Sequence, residues 1–253
     1  MTDHALVRLD VADAVARITL DSPANRNALS KQLVSELMQH LDTVGRSGDV
    51  RAVVIAADGP AFCAGADMRE AASEGMETGA RAMVALQRAI VALDVPVVAR
   101  VHGPVRAGGL GIIGACDVVI SADTVTYAFT EVLLGLAPAV ISLTTLPRLT
   151  ARAASETYLS GGGFDAHEAA RIGLVTRAVP IEQLDEAVAE VAARWVGASA
   201  QGLRETKALL NRALLRRIDE LGEQVARASA LLFATDEARA AMQAFLAGSK
   251  PSG

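Results

Sequence analysis

Two glycine-bearing stretches and one carboxylate carry the chemistry legible in this chain: Ala61-Phe62-Cys63-Ala64-Gly65-Ala66-Asp67, Ala107-Gly108-Gly109-Leu110-Gly111, and Glu131. Each glycine stretch follows an apolar run, Val53 to Ala57 or Val97 to Val101, that reads as a buried strand, and the second leads directly into a helical pattern. Turns of this kind leave backbone N–H groups unpaired and facing outward. Glycine has no Cβ, so the backbone there can come close to a ligand. Two such N–H groups on one oxygen would stabilise a developing oxyanion by roughly 3–4 kcal/mol per donor where water is excluded. Each loop alone reads as a tight turn; the pairing of the two favours the oxyanion site. Glu131 stands alone in Thr130-Glu131-Val132-Leu133-Leu134-Gly135, apolar surroundings that raise a carboxyl pKa towards the working pH. The bland reading of such an isolated acid is a salt-bridged structural group.

The elements that must position these residues follow from periodicity. Leu6 to Leu9 and Ala14 to Leu20 read as a hairpin, and Ser30 caps a helix with Leu33, Leu37, Met38 and Leu41 on its apolar face, ending near Gly45. An Ala-rich helix runs from Ala80 to Leu93, after a polar segment from Met68 to Gly79 of the kind that shapes access to a site. A short helix after Gly108 meets a strand at Val118 to Ser121. Pro180 marks a boundary, beyond which Ile181 to Trp195 and Leu203 to Leu246 carry apolar residues at helical intervals, packing together or on a neighbour.

Composition excludes several classes. The 253 residues suit one main domain with an appendage, and the net charge of −5 argues against a general nucleic-acid or anionic-membrane surface. No apolar stretch is long enough to span a membrane, and the N-terminus lacks the pattern of a secretory signal. Cys63 and Cys116 make no disulfide framework, so a reduced, cytoplasmic setting is expected. Neither a His/Cys metal cluster nor a nucleophile elbow is visible. Gly109-Leu110-Gly111-Ile112-Ile113-Gly114 matches the dinucleotide fingerprint, but the helix is too short and Asp123 comes too early to be the ribose acid.

Asn25-Arg26-Asn27-Ala28-Leu29-Ser30, Phe62 to Asp67 and His102 to Asp117, continued by Tyr127 to Pro138 and Leu159 to Val175, resemble in order and spacing the crotonase, or enoyl-CoA hydratase/isomerase, superfamily. The resemblance implies an α/β fold, a spiral of repeated ββα units. Residues 1–195 would form the spiral core carrying the acyl-CoA site, and residues 196–253 a C-terminal helical oligomerisation region. The partners it implies are an acyl-CoA substrate and further copies of the chain, as a homotrimer or dimer of trimers, with no nucleic acid and no membrane. It makes Ala66 and Gly108 the oxyanion donors and Glu131 the catalytic acid/base. Arg26, Ala28, Ala64, Asp67 and Lys250 become the contacts to coenzyme A, which enters as part of the substrate and not as a prosthetic group. Arg26 also reads as an ordinary solvated cation, and the tail bearing Lys250 as disordered.

The departures from the family are informative. Its hydratases typically use two glutamates, and the second falls here on Gly111, with no carboxylate at Leu110 or Ile112. Hydration asks for one group to activate water and usually another to manage the α-proton. A single acid suits double-bond isomerisation or hydratase-like lyase chemistry. The alternatives are a true hydratase using Glu131 with a water, and a non-catalytic acyl-CoA binder. Ala137-Pro138-Ala139-Val140-Ile141 makes one wall more apolar than in hydratases. His102 and Arg106 are unusual for this family's loop; Arg106 could meet a carboxylate on an acyl chain or lie on the surface, and His102 could titrate near neutrality and act on a substrate, or be, as favoured here, a loop histidine bonded to backbone. Asp117 is, by likeness, structural.

Overall fold

The structure, a computed structural model, describes residues 5–70 and 77–246. β1 (Val7–Ala12) and β2 (Val15–Leu20) form the expected antiparallel hairpin, and β3 (Ala52–Ala57) and β4 (Val97–Val101) join it in parallel. All six residues of β3 are buried, as befits a parallel strand covered on both faces. After β5 (Val105–Arg106) come α-helices and strands in alternation, and β6 (Val118–Ala122) and β9 (Arg177–Val179) complete a sheet of order β1-β2-β3-β4-β6-β9.

β5 pairs with β7 (Thr126–Ala128), and β7 with β8 (Phe164–Asp165), in a second, smaller sheet. Isolated bridges extend that small sheet: Cys63 pairs with Val105, and Leu29 with Ala66. Each repeat therefore gives one strand to the large sheet and one short segment to the small layer, then a helix. That is the spiral of ββα units expected from the resemblance. The first glycine stretch lies in the small layer, and the second leaves β5 for a helix.

α1 (Lys31–Arg46) starts where expected, the Ser30 hydroxyl accepting the Leu33 N–H at 3.2 Å, and buries Leu33, Val34, Leu37, Leu41 and Val44. α2 (Glu77–Ala92) and α3 (Gly108–Ala115) follow, then α4 (Ser142–Thr145), α5 (Ala151–Ser160), α6 (Ala166–Arg171) and α7 (Leu184–Val196). The region beyond Leu203 forms two helices, α8 (Ala200–Phe233) and α9 (Asp236–Leu246), interrupted at Ala234-Thr235.

α8 lies along α2 of its own chain. Val84 Cγ1 would stand 2.8 Å from a Cβ at Gly222, so the two helices approach closely there. Arg81 and Arg88 of α2 pair with Glu223 and Asp219 of α8 at the surface. Lys207, only 5% exposed, donates from Nζ to the Ile90 and Val95 carbonyls and pairs with Asp117 at 2.8 Å. Asn211 adds a bond to Asp117 Oδ1 at 3.0 Å, and Asp117 accepts the Val97 N–H at 2.8 Å. A buried cation holding both the end of α2 and the turn before β6 fastens the C-terminal helix onto the core.

Candidate functional site

Asn27 knits the first motif to the loop after β3. Fully buried, its carboxamide accepts the Ser22 N–H at 2.8 Å and donates to the carbonyls of Asp58 at 2.8 Å and Ala61 at 2.9 Å. The backbone then alternates partners across the gap. Ala64 donates to Arg26, Leu29 to Gly65 at 2.7 Å, and Asp67 to Leu29 at 3.3 Å. The N–H of Ala66, between these rungs, has no acceptor among the described residues.

The second donor comes from α3. Gly108 is its first residue, so its N–H has no intrahelical partner, and none is found elsewhere among the described residues. Ala107, just before it, has φ 43° and ψ −117°, a conformation that costs a residue with a Cβ about 1–3 kcal/mol. A Cβ on Gly65, itself at φ +97°, would stand 2.8 Å from that of Ala107 and 3.4 Å from the Arg106 carbonyl oxygen. The two loops thus touch backbone to backbone, and each leaves one N–H unused beside the contact. Glycine at position 65 is what permits the approach.

Glu131 lies in a 3-10 turn, Thr130–Leu134, closed by Gly135 in the left-handed region. Its Oε2 is buried and has no hydrogen-bond partner. Burial pushes its carboxyl up to about 7, its own N–H offsetting only part of that. Tyr158 of α5 stacks on Phe129 at 4.2 Å between ring centres and is close enough to Glu131 that the carboxylate's charge further raises its phenol pKa. The Thr145 hydroxyl donates to the Ile141 carbonyl at 2.7 Å, so the phenol is the donor in the bond between Tyr158 and Thr145.

Position 111 is closed. A Cβ there would meet Ile141 Cγ2 at 2.9 Å, Met83 Cε at 3.0 Å and Gln87 Oε1 at 3.2 Å. Gln87 is itself fully buried, accepting the Thr144 hydroxyl at 2.6 Å and donating to the carbonyls of Met83 and Val140 at 3.2 Å each. The side-chain space a second glutamate would start from belongs to two apolar residues and a satisfied amide.

The other singled-out residues fall as follows. Arg26 is exposed, and its side chain has no partner among the described residues. Ala28 is buried and donates its N–H to Asn25; Ala64 has spent its N–H on Arg26. The Asp67 carboxylate accepts the N–H groups of Arg69 and Glu70 at 3.0 and 3.2 Å. Lys250 lies outside the described residues, as do residues 71–76 of the segment after Asp67. Arg106 does not reach for a ligand: its guanidinium donates to Val105 O, Thr126 O and Thr126 Oγ1. His102 is bonded to the Gly59 carbonyl oxygen at 2.8 Å, the backbone contact expected of it. Asp117 is the structural acid of the Lys207 cluster. Sequence reasoning passed over Lys207, Gln87 and Tyr158, polar residues that nothing in the spacing around them singles out.

Burial pushes the Cys63 thiol up to about 12 and the Cys116 thiol higher still, so both are inert as nucleophiles. Among the described residues no group of three or more His, Cys, Asp or Glu is placed to hold a metal ion, and no helix is long and apolar enough to cross a membrane.

The chain matches the enoyl-CoA hydratase/isomerase family over residues 10–252. A crystal structure of an enoyl-CoA hydratase from Mycobacterium avium is 46% identical and superposes with a TM-score of 0.91, covering 98% of each chain. One from Mycobacterium smegmatis is 28% identical with a TM-score of 0.81, over 98% of this chain and 99% of that one. The rat (Rattus norvegicus) mitochondrial enoyl-CoA hydratase domain-containing protein 3 is 31% identical over 191 residues, 71% of this chain and 61% of that protein. Matched along nearly its whole length in sequence and in fold, the chain belongs to the enoyl-CoA hydratase/isomerase family.

Proposed function

We propose that the protein is an acyl-CoA enzyme in which the N–H groups of Ala66 and Gly108 hold the thioester oxygen and Glu131 moves a proton at carbon. The carboxylate of Glu131 takes a proton from the carbon chain, and the released electron pair passes into an enolate whose oxygen the two N–H groups stabilise. The same carboxyl returns the proton at another carbon, and the double bond moves. Arg26 would meet the coenzyme's phosphates, and Ala28, Ala64, Asp67 and Lys250 would make its other contacts.

One observation carries the choice of reaction. Glu131 offers an unpartnered carboxylate oxygen with a pKa of about 7, while position 111 is packed against Ile141, Met83 and Gln87. One proton carrier at Glu131 and no carboxylate at position 111 favour isomerisation or a hydratase-like lyase reaction over water addition. The hydratase names of the relatives support the second reading, in which Glu131 alone activates a water. Exposed Leu209, Leu210 and Leu231 on the outer side of α8, at 64, 75 and 72%, support an assembly of several copies, a homotrimer or dimer of trimers. Buried, unpaired Cys63 and Cys116 suit a reducing, cytoplasmic setting.

The test is a panel of 2-enoyl-CoA and 3-enoyl-CoA thioesters followed by mass spectrometry and chromatography of the products. Double-bond migration without mass gain supports isomerisation. Gain of one water on the 2-enoyl substrates would replace it with the hydratase reading, and tight binding with no conversion would leave an acyl-CoA binder.

A further inference from the structure

Arg217 of α8 is the unexplained charge of this region. Its Nε is buried without a hydrogen-bond partner, and its guanidinium makes no ion pair or hydrogen bond among the described residues. Of the acids that follow it along α8, Asp219 is paired with Arg88 and Glu223 with both Arg81 and Arg227, and Glu220, one turn on, forms no ion pair with it among the described residues. Leu214 and Ile218 beside it are buried at 7 and 1% exposure, so the arginine leaves the helix at the edge of its buried side. A half-buried cation without an anion is costly, and such groups are ordinarily paired.

Its surroundings point to the acyl site. α8 packs on α4, whose Thr145 holds the phenol of Tyr158. Tyr158 responds to two charges, Glu131 and Arg217, and Glu131 Oε2 is likewise buried and unpartnered. The charges of a carboxylate and a guanidinium, each with a buried atom left unpartnered, thus both reach the phenol of Tyr158, and the two do not pair with each other. A substrate that presents its reacting carbon to Glu131 and a negative group further along the chain would satisfy both ends.

We propose that Arg217 binds a carboxylate on the acyl chain, so that the substrate is a CoA thioester of a dicarboxylic acid. The guanidinium fork matches a carboxylate with two parallel hydrogen bonds, whereas a neutral alkyl tail would leave the cation unpaired. This inference rests on the acyl-CoA reading above.

The experiment compares a short 2-enedioyl-CoA with its ω-methyl ester, on the wild type and on Arg217→Met and Arg217→Gln. The wild type is expected to favour the free acid in kcat/KM by at least about 30-fold, the scale on which loss of one partner of a buried charge pair is felt. The variants are expected to lose that preference while the ester is handled as before. Equal treatment of acid and ester by the wild type, or an equal loss on both in variants that melt normally, overturns the proposal. If neither thioester reacts, calorimetric titration with glutaryl-CoA and its methyl ester decides. An Arg217-dependent preference for the acid keeps the proposal while the reaction reading fails; equal or absent binding of the two overturns it.

Discussion

Replacing Glu131 by glutamine should damage activity and improve stability together, with a pH signature that identifies the cause. The carboxyl ionises near pH 7 in the folded chain against 4.5 for an ordinary glutamate, because its site gives it no partner and little water. Between those values the folded chain keeps a proton that the unfolded chain has released. Stability therefore falls as pH rises from about 4.5 to about 7 and stays low above, by at most on the order of 3 kcal/mol. The glutamine side chain has the same shape and cannot ionise, so the Glu131→Gln variant escapes this loss. At pH 8 it should melt several degrees higher, at roughly 2–4 °C per kcal/mol for a chain of this size, and the gap should close near pH 4.5. Its turnover of an enoyl-CoA should fall by a factor of about 100 or more. In the wild type, kcat/KM should rise with pH through about 7, since a base must be ionised to act. Scanning calorimetry of both proteins from pH 4.5 to 9 reads the first effect and the pH–rate profile the second. Superimposed melting curves at all pH values would refute the burial of the charge, and retained activity would refute its role.

Gly111→Glu tests whether position 111 is closed: the new side chain meets Ile141 and Met83 at 3.0 Å or less, so the variant should lose about 1–3 kcal/mol in urea unfolding and gain no hydratase activity. Lys207→Met leaves the half-buried Asp117 without its cation and should cost about 3 kcal/mol, the lower end for a buried pair, whereas the double variant with Asp117→Asn should recover part of it in the same assay. Cys63 and Cys116 should resist a thiol reagent in the native protein at pH 8 and react fully once it is unfolded.

The parts of this fold legible in the sequence are those with enough residues to show a period. β3 and β4 stand out as apolar runs and β2 through its alternation, and α1 announces itself through Ser30 and its spaced leucines. The small sheet does not, because β5 and β8 have two residues each and its remaining rungs are single bridges at Leu29 and Cys63. Its existence depends on the large sheet bringing distant loops together. The two donor loops are visible through their glycines and Glu131 through its apolar neighbours. What no pattern discloses is the contact between Gly65 and Ala107, or which polar residues of a long helix face inward. Nothing in the spacing marks Lys207 and Asn211 of α8 as inward-facing, and both are buried against the end of α2, where unpaired helix-terminal carbonyls and Asp117 await donors. Gln87 likewise sits in an Ala-rich helix and is buried because Thr144 and two carbonyls satisfy it.

The central claim, that Glu131 alone carries the proton, is tested most directly by following deuterium. A 3-enoyl-CoA incubated with the wild type in deuterated water should emerge as the 2-enoyl isomer, with deuterium in the migrating position to the extent that the carboxyl exchanges with solvent. Glu131→Gln should bind the same thioester and neither shift its double bond nor label it. Label or migration at the wild-type rate in the variant would contradict the account and place the base elsewhere.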